Sequence, residues 1–358
     1  MSIDFITART KDLKQIAILA KENGLLLNDL NETKFTNLIN WLYFKAPQKG
    51  SFQIIAKEAE KIIAHFGGTS FNFKYKNYSF NAIFASNIVI DKEAKKKALF
   101  FPLQKRYEKE CVDLKSDFIY GINTRPDALK AHLASGWKNV GELNVYAKPI
   151  NFIAIFNYYI NNKIINFTLK FFFIFLENIF LFFTKNQIDT NDIGISRINT
   201  FDDNFTPFLN KWLKTQFLIA KRSVRILNWR FSSLEDRNYI IFKALRKNKI
   251  CGYIVMREMR MKNFSSLAIV DFVCDKNDLS TKNALLNCAN LTAKELEVDL
   301  IAVVFTKYSN LKPFFVNNGF FKSPEKFSVI VKDFPYSKTN FVKDFNKWNL
   351  SWFDHDYV

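Results

Sequence analysis

The chain has 358 residues and is 48% hydrophobic, which predicts two domains rather than one and allows each to bury a substantial core. Its formal net charge of +18 favours polyanionic partners, namely nucleic acid, an anionic membrane surface or phosphorylated small molecules. Lysines on solvated faces explain the same charge without any such partner. No P-loop, GxGxxG, HExxH or nucleophile-elbow motif occurs, which excludes the chemistries that depend on them.

The cysteines and the N-terminal residues predict a cytoplasmic location. The four cysteines show neither CxxC pairing nor metal-ligand spacing, so we expect free thiols in a reducing compartment. The N-terminal stretch carries charges where a secretory signal peptide would need an apolar core.

Residues 1–150 predict a mixed α/β unit in the order helix, two or three strands, main strand, helix, strand, helix and strand. The main strand lies in "SNIVIDKEA" (86–94) and runs into three lysines that begin a helical pattern. A second strand, "FIYGINT", follows Asp117, and a short helix then ends at the pair Gly136-Trp137. A strand that leads directly into a helix often binds phosphate, because free backbone N–H groups and the helix dipole meet there.

Residues 151–189 predict an apolar helical linker. Within residues 164–183 only Lys170 and Glu177 are charged, and this stretch approaches transmembrane length. On a helix these two residues fall on one narrow polar stripe with Asn166 and Thr184. Such a stripe favours a helix that lies in an anionic membrane surface, or one packed between domains or subunits, over a membrane span.

Residues 190–335 repeat the order of the first unit. The stretch "VDFVCDKND" (270–278) matches 86–94, a strand follows Asp299, and a short helix ends at Gly319-Phe320. From the Asp of the Asp-Lys pair to the acidic residue before the next strand is 26 residues in the first unit and 24 in the second. The stretches "NWLYFKAP" and "NWRFSSLE" lie at similar distances upstream. The agreement in order and spacing predicts an internal duplication.

Residues 336–358 predict a C-terminal tail that docks on the second domain or borders a substrate groove. The tail contains Asp354, His355 and Asp356 in adjacent positions, which cannot all converge on one metal ion. The sequence therefore predicts no metal site.

This order of motifs resembles the GNAT acyltransferase fold: a main strand, a phosphate turn, a helix, a strand with an asparagine near its end, and a helix that ends in Gly-aromatic. The duplicated form resembles bacterial two-domain GNAT proteins linked with cell-surface polysaccharide biosynthesis and, more distantly, the Fem-type aminoacyltransferases. The resemblance implies an α/β (α+β) fold of tandem GNAT-like domains, at 1–150 and 190–335. Each would be a mixed, mostly antiparallel sheet flanked by helices.

In this family the pyrophosphate of acyl-CoA binds to backbone N–H groups of a glycine-rich turn, which corresponds here to residues 95–100. Both glycines are replaced, and Lys96 occupies the position of the glycine that lets the backbone approach the phosphate. Lysine ammonium groups can act there as point charges. The acidic Asp278 near the second turn repels pyrophosphate, which favours a site in the first domain. The implied cofactor-binding residues are Ile88, Val89, Ile90, Lys95, Lys96, Lys97, Ala98 and Leu99.

The resemblance also implies catalytic residues in the first domain. His132 occupies the position of a family tyrosine that protonates the leaving thiolate, whereas the matching Phe315 cannot donate a proton. Tyr120 and Asn123, on and at the end of the second strand, would orient the cofactor or the acceptor. The alternatives are a half-exposed helical histidine without a role, and strand-end packing with an Asx turn.

Further candidates lie in the second domain and in the upstream helices. Asp271, in an apolar strand, would bind substrate or accept a proton, or else form a buried ion pair with an arginine such as Arg230. Trp41 and the pair Trp229-Arg230 begin corresponding segments and would line a groove for a sugar or a carrier phosphate. Packing of both tryptophans in the core is the alternative.

The resemblance implies an acyltransferase that moves an acyl group from acyl-CoA, with acetyl-CoA expected, to an amine or hydroxyl of a sugar or glycan precursor. The substrate would be a small molecule or a lipid-linked sugar, and the protein would lie peripherally on the inner membrane face. One alternative is a Fem-like aminoacyltransferase, which would contact aminoacyl-tRNA through phosphates. The other is a non-catalytic GNAT-like scaffold.

Overall fold

A computed structural model describes residues 2–26, 30–123, 125–159, 192–234, 236–307 and 309–355. The first half of the chain forms, in order, β1 (Ile3–Thr7), α1 (Leu13–Glu22), α2 (Glu32–Tyr43), β2 (Phe52–Glu58), β3 (Lys61–Tyr75), β4 (Tyr78–Ile90), α3 (Phe100–Asp113), β5 (Phe118–Asn123), α4 (Pro126–Ala134) and β6 (Lys138–Pro149).

The second half repeats this order with one additional short strand. After α5 (Phe152–Tyr159), its elements are β7 (Ile193–Ile198), α6 (Phe205–Lys214), β8 (Ile219–Ala220), α7 (Val224–Ser232), β9 (Ile240–Arg246), β10 (Lys249–Met261), β11 (Phe264–Cys274), α8 (Leu279–Glu295), β12 (Leu300–Phe305), α9 (Lys312–Asn317) and β13 (Phe321–Asp333).

The Gly-aromatic pairs end equivalent helices in the two halves. Gly136 and Gly319 follow α4 and α9 with φ of +83° and +86°, a left-handed conformation that glycine adopts without steric cost. The next backbone N–H, of Trp137 or Phe320, then donates to the carbonyl oxygen five residues earlier. The sequence match between these pairs therefore reflects one helix-ending geometry used twice.

The thirteen strands of the described residues form one continuous, mostly antiparallel sheet. Its order is β1-β2-β3-β4-β5-β13-β6-β12-β11-β10-β9-β7, with β8 paired to β3 outside this path. Within this order only β4–β5 and β11–β12 pair in parallel. The last strand of each half pairs with the other half: β13 with β5, and β6 with β12. Counted inward from either edge, equivalent strands of the two halves follow in the same order, β1-β2-β3-β4-β5-β13 from one side and β7-β9-β10-β11-β12-β6 from the other.

Helices cover both faces of the sheet. The largest apolar core lies on one face, under α1, α2, α6, α7 and the C-terminal tail, and it spans both halves. On the opposite face, α3 and α4 cover the first half and α8 and α9 cover the second. The mixed α/β architecture expected from the sequence is therefore present, with one sheet shared by the two halves.

The C-terminal tail lies between the halves on the larger core. The indole of Trp348 contacts Phe73, Phe118 and Tyr120 of the first half. Its carbonyl accepts a hydrogen bond from Thr306 Oγ1 of the second half, at 3.0 Å. The tail was expected on the second domain; it contacts both.

Most of the predicted apolar linker, including the stripe at residues 164–183, falls within residues 160–191 and lies outside the described residues. The structure describes only its beginning, as α5. Among the helices that the structure describes, none is both long and apolar enough to cross a membrane.

Candidate functional site

The two parallel strands of the first half pair over three residues and then diverge. β4 and β5 are in register from Ala82 opposite Phe118 to Phe84 opposite Tyr120, and no pairing between them continues beyond that point. β4 is irregular shortly afterwards, where Asn87 adopts a left-handed φ of +55°. Such a divergence leaves backbone N–H and C=O groups available to an extended ligand.

The predicted cofactor-binding residues of β4 lie on this diverging arm. Val89 is buried in the larger core, whereas Ile88 and Ile90 pack against the core beneath α3. This alternation is that of a regular strand end, so the three side chains anchor the arm in the cores on both faces of the sheet.

A short turn connects β4 to α3 and contains the lysine run. Residues 95–97 form one turn of 3-10 helix, and Ala98 has a left-handed φ of +51°. The backbone conformation that favours glycine thus occurs at Ala98, whereas the resemblance to the family implies the glycine position at Lys96. Lys97 Nζ lies 2.6 Å from a carboxylate oxygen of Glu58, and Lys96 is exposed.

The helices that follow the two equivalent turns begin differently. Leu99, the residue before α3, forms no side-chain capping hydrogen bond. By contrast, Asp278 caps α8 by accepting from the Thr281 backbone N–H at 3.1 Å. The same carboxylate binds the Arg246 guanidinium at 2.8 and 2.9 Å. A carboxylate of the protein therefore already occupies the anion-binding end of α8, while that of α3 carries no such cap.

His132 lies on α4 and is enclosed by aromatic rings. Its ring packs against Phe66, Phe100 and Trp137, with centroid distances of 5.7, 5.3 and 4.8 Å. It is 2% exposed, and its buried Nδ1 has no hydrogen-bond partner. Burial lowers the pKa of His132 to about 4, so the ring is neutral at physiological pH. The half-exposed histidine considered from the sequence is instead a buried one.

Tyr120 and Asn123 lie on β5 but differ in environment. Tyr120 is fully buried, and its hydroxyl donates to the backbone carbonyl of Asp354 at 3.4 Å. Its donor is thus directed to the tail and not to the divergence. Asn123 is the last residue of β5, and its buried Nδ2 has no partner. Of the two, Asn123 has the free donor that a ligand would use.

The parallel pair of the second half diverges in the same way. β11 and β12 pair from Ser266 opposite Leu300 to Ala268 opposite Ala302, and a bulge in β11 follows at Val270. The extra residue turns Asp271 toward the larger core, where the hydroxyl of Tyr253 donates to its carboxylate at 2.7 Å.

Asp271 belongs to a buried charge cluster that sequence comparison did not find. The guanidinium of Arg222 lies 3.4 Å from carboxylate oxygens of both Asp271 and Asp354, and all three side chains are at most 3% exposed. Burial raises the pKa of Asp354, against the opposing effect of Arg222. The alternative of a buried ion pair with an arginine such as Arg230 is thus met by a different arginine, Arg222. No local sequence signal distinguishes these two residues.

Arg230 and the two tryptophans of the expected substrate groove are buried. The rings of Trp41 and Trp229 stack at 4.5 Å, and each indole N–H donates to the other residue's backbone carbonyl, at 3.0 and 3.4 Å. Arg230 donates to the tail carbonyls of Trp352, Phe353 and His355. These residues therefore join α2, α7 and the tail to one another, and the structure does not place them in an open groove.

A cavity of about 70 Å³ lies where β11 and β12 diverge. Its buried end includes Arg222 and Asp271, and its exposed lining residues include Phe217, Lys276 and Asn310. No group of three His, Cys, Asp or Glu side chains among the described residues is arranged to hold a metal ion.

Comparison with known proteins identifies the fold. No protein-family model and no curated protein matches the chain. Solved structures do: a GCN5-related N-acetyltransferase from Anabaena variabilis has a TM-score of 0.62 at 10% identity, over 93% of this chain and 73% of that one. A GCN5-related N-acetyltransferase from Kribbella flavida has a TM-score of 0.60 at 9% identity, over 93% and 71%. Saccharomyces cerevisiae N-myristoyltransferase with bound myristoyl-CoA has a TM-score of 0.61 at 12% identity, over 94% of this chain and 80% of that one. The chain has the GNAT fold.

Proposed function

We propose that this chain is an acyltransferase that moves an acyl group from acyl-CoA to an amine or hydroxyl of a small acceptor. The observation that carries the proposal is the divergence of β4 from β5 after Phe84 and Tyr120, next to a turn that begins a helix without a side-chain cap. The diverging strands leave backbone groups for a pantetheine arm, and the start of α3 attracts phosphate. The yeast N-myristoyltransferase of the same fold was solved with myristoyl-CoA bound, which supports acyl-CoA as the donor.

The proposed reaction is direct attack of the acceptor on the thioester. The acceptor nitrogen or oxygen forms a bond to the acyl carbon, the carbon–sulfur bond breaks, and the acceptor proton leaves to water or a carboxylate. His132 is neutral, so it would stabilise the leaving thiolate by donating an N–H hydrogen bond, and would not act as an imidazolium acid. Asn123 Nδ2, which has no protein partner, would donate to an amide carbonyl of the pantetheine arm.

We further propose that the two halves arose by duplication, with GNAT-like units at 1–150 and 190–335. The recurring order of elements and the paired left-handed glycines Gly136 and Gly319 support this. The second unit has Phe315 in place of His132 and has Asp278 across its phosphate turn. Both differences favour the first unit as the CoA-binding one.

The acceptor class that we propose is a sugar or glycan precursor with a free amino or hydroxyl group, either as a small molecule or attached to a lipid in the membrane's inner leaflet. The net charge of +18 favours a second candidate, an aminoacyltransferase that uses aminoacyl-tRNA. A scaffold without activity is the third candidate, and it would bind no CoA at all.

Calorimetric titration of the full chain with CoA and acetyl-CoA tests the donor. We expect binding, and we expect the double substitution Lys95→Glu and Lys97→Glu to weaken it by more than about tenfold, because it replaces two positive charges by two negative ones in the turn proposed to bind the pyrophosphate. The matched control is Lys105→Glu with Lys109→Glu, which makes the same charge change at exposed positions farther along α3.

The control variant should bind CoA with nearly the affinity of the unmodified chain. Equal weakening by both pairs would indicate a general charge effect and would remove the assignment to this turn. Complete absence of CoA binding by the unmodified chain would support the scaffold.

A further inference from the structure

The tip of the β3–β4 hairpin carries the two most exposed large hydrophobic side chains of the described residues. Tyr78 is the first residue of β4 and is 68% exposed. Phe217 is 61% exposed and precedes β8, whose Ile219 lies opposite Lys74 near the end of β3. Because β3 and β8 are antiparallel, the chain before β8 lies toward the hairpin tip. Single exposed hydrophobic residues are ordinary on a protein surface, whereas neighbouring ones mark an interaction surface.

Lysines surround these two rings, namely Lys74, Lys76, Lys214, Lys221 and Lys347. Lys221 Nζ donates to Ser79 Oγ at 2.6 Å. Lys74 Nζ donates to the carbonyl of Leu213 at 2.7 Å, which brings the end of α6 with Lys214 to the hairpin. The ammonium groups of Lys76 and Lys347 lie over the ring of Tyr75, at 5.6 and 5.9 Å from its centroid. The five lysines, Tyr78 and Phe217 therefore form one surface, which we call the hairpin-tip surface.

Carboxylates neutralise little of the charge of the hairpin-tip surface. Asp344 lies 3.1 Å from Lys347, and the other four lysines form no ion pair within the described part of the chain. Burial lowers the pKa of Lys74, and the nearby charge of Lys221 lowers it further. Repulsion between these two ammonium groups would be relieved by an anion, so the surface attracts a negatively charged partner.

The aromatic rings indicate which anionic partner fits. A single-stranded nucleic acid stacks its bases on aromatic rings along a basic groove. The ring of Tyr75 is already stacked on Phe341 at 4.3 Å, and the two free rings lie at the end of a hairpin. Exposed aromatic rings next to lysines are typical of membrane-bound surfaces, because the rings enter the interface while the ammonium groups remain at the headgroups.

We propose that the hairpin-tip surface docks the protein on a membrane that contains anionic lipids, with Tyr78 and Phe217 entering the interface. The turn proposed to bind CoA follows the opposite end of β4, which is 13 residues long. At about 3.3 Å per residue the two sites are about 40 Å apart, so lipid and CoA do not compete. The docking does not depend on the proposed acyl transfer. Only its use in presenting a lipid-attached acceptor rests on the proposed function.

Flotation of the full chain with lipid vesicles tests the charge dependence. We expect vesicles in which about a third of the lipid is phosphatidylserine to bind the protein at least about tenfold more strongly than pure phosphatidylcholine vesicles. Lys76→Glu with Lys221→Glu should weaken binding to the anionic vesicles by more than about tenfold. Lys105→Glu with Lys109→Glu makes the same charge change at exposed positions of α3 and should keep the binding.

A second pair of variants separates the rings from the charges. Tyr78→Ser with Phe217→Ser leaves the net charge unchanged and should weaken binding to the anionic vesicles by about tenfold, because two rings no longer enter the interface. The matched control is Phe101→Ser with Leu291→Ser, at exposed positions of α3 and α8 on the other face of the sheet. This control should bind the anionic vesicles like the unmodified chain. Thermal unfolding midpoints verify that each variant is folded.

Three results would overturn the proposal: equal binding to both kinds of vesicle, no binding to either, and equal effects of the hairpin-tip and control variants. Binding of a single-stranded oligonucleotide that the hairpin-tip variants lose, without vesicle binding, would assign the surface to nucleic acid instead. Lys95→Glu with Lys97→Glu should lose CoA and keep the anionic vesicles, so that failure of this surface and failure of the proposed function give different results.

Discussion

His132 shows how the surroundings of one side chain change its chemistry. The resemblance to the family predicts a proton donor at this position, but the structure encloses the His132 ring among three aromatic rings. Burial lowers the pKa to about 4, so the protonated form is scarcely populated near neutral pH. The ring is therefore neutral near pH 7, and its burial makes the stability of the chain depend on pH.

We predict that His132→Phe reduces the loss of stability in acid. The folded-state pKa of about 4 lies below the ordinary value of 6.5, so between these values the unfolded chain binds more protons. The folded state therefore has its full stability with respect to His132 above pH 6.5, where the ring is neutral in both states. This contribution to the unfolding free energy is lost as the pH falls toward 4. The loss at pH 5 should be about 2 kcal/mol, since one pKa unit corresponds to about 1.4 kcal/mol.

Urea unfolding of both proteins at pH 7.5 and at pH 5 measures this difference. The variant should lose less unfolding free energy than the unmodified chain between pH 7.5 and pH 5. His65, which is also buried with a pKa of about 4, contributes the same pH dependence in both proteins. Identical pH dependence in the two proteins would mean that His132 does not become protonated on unfolding as the structure indicates.

Asp271 was identified from the sequence as a carboxylate in an apolar strand, and the structure places it in the charge cluster. Its partner could not be predicted, because Arg222 precedes α7 and meets Asp271, at a separation of 49 residues, only in the folded structure. Sequence spacing carries no information about such a contact.

At the scale of elements, the C-terminal tail depends on arginines of the second half. Arg230 donates to backbone carbonyls of Trp352, Phe353 and His355, which are otherwise in apolar surroundings. A buried carbonyl without a donor costs about 1–3 kcal/mol. These backbone contacts add to the buried side-chain contacts of Trp348 and Phe353, and all of them join residues that are far apart in the sequence.

We predict that Arg230→Leu loosens the tail. The substitution removes the guanidinium donors of the tail carbonyls and leaves an apolar side chain in their place, so the unfolding free energy should fall by roughly 2–4 kcal/mol. Hydrogen–deuterium exchange should rise in residues 345–355 and remain unchanged in β1 and β2. The control is Arg225→Leu, which changes an arginine on the exposed side of the same helix. Unchanged exchange in the tail of Arg230→Leu would show that the aromatic contacts alone are sufficient.

At the scale of the whole molecule, the exchange of the last strands joins the halves. β13 of the second half lies between β5 and β6, so the first half alone would leave both of these strands without their partner. The stacked pair of Trp41 and Trp229 adds a buried contact between the same halves. Neither half has a complete sheet of its own.

We predict that residues 1–159 and 192–358, expressed separately, do not fold cooperatively, whereas together they form a one-to-one complex with the circular dichroism spectrum of the intact chain. The physical reason is the row of unpaired backbone groups that each fragment would expose. Size-exclusion chromatography and thermal unfolding measure the result. Cooperative unfolding of the 1–159 fragment alone would show that β13 is dispensable for the first half.

Most elements, their repeated order and the helix ends at Gly136 and Gly319 are predictable from the residues alone, because they depend on local periodicity and on backbone conformations that favour glycine. The order of the motifs also indicates the fold. The exchange of the last strands, the stacking of Trp41 on Trp229 and the contact of Arg222 with Asp271 emerge only on folding. Each of these is a contact between residues far apart in the chain. Such contacts depend on how the faces of the sheet and helices pack, and that packing leaves no regular pattern in the order of the residues.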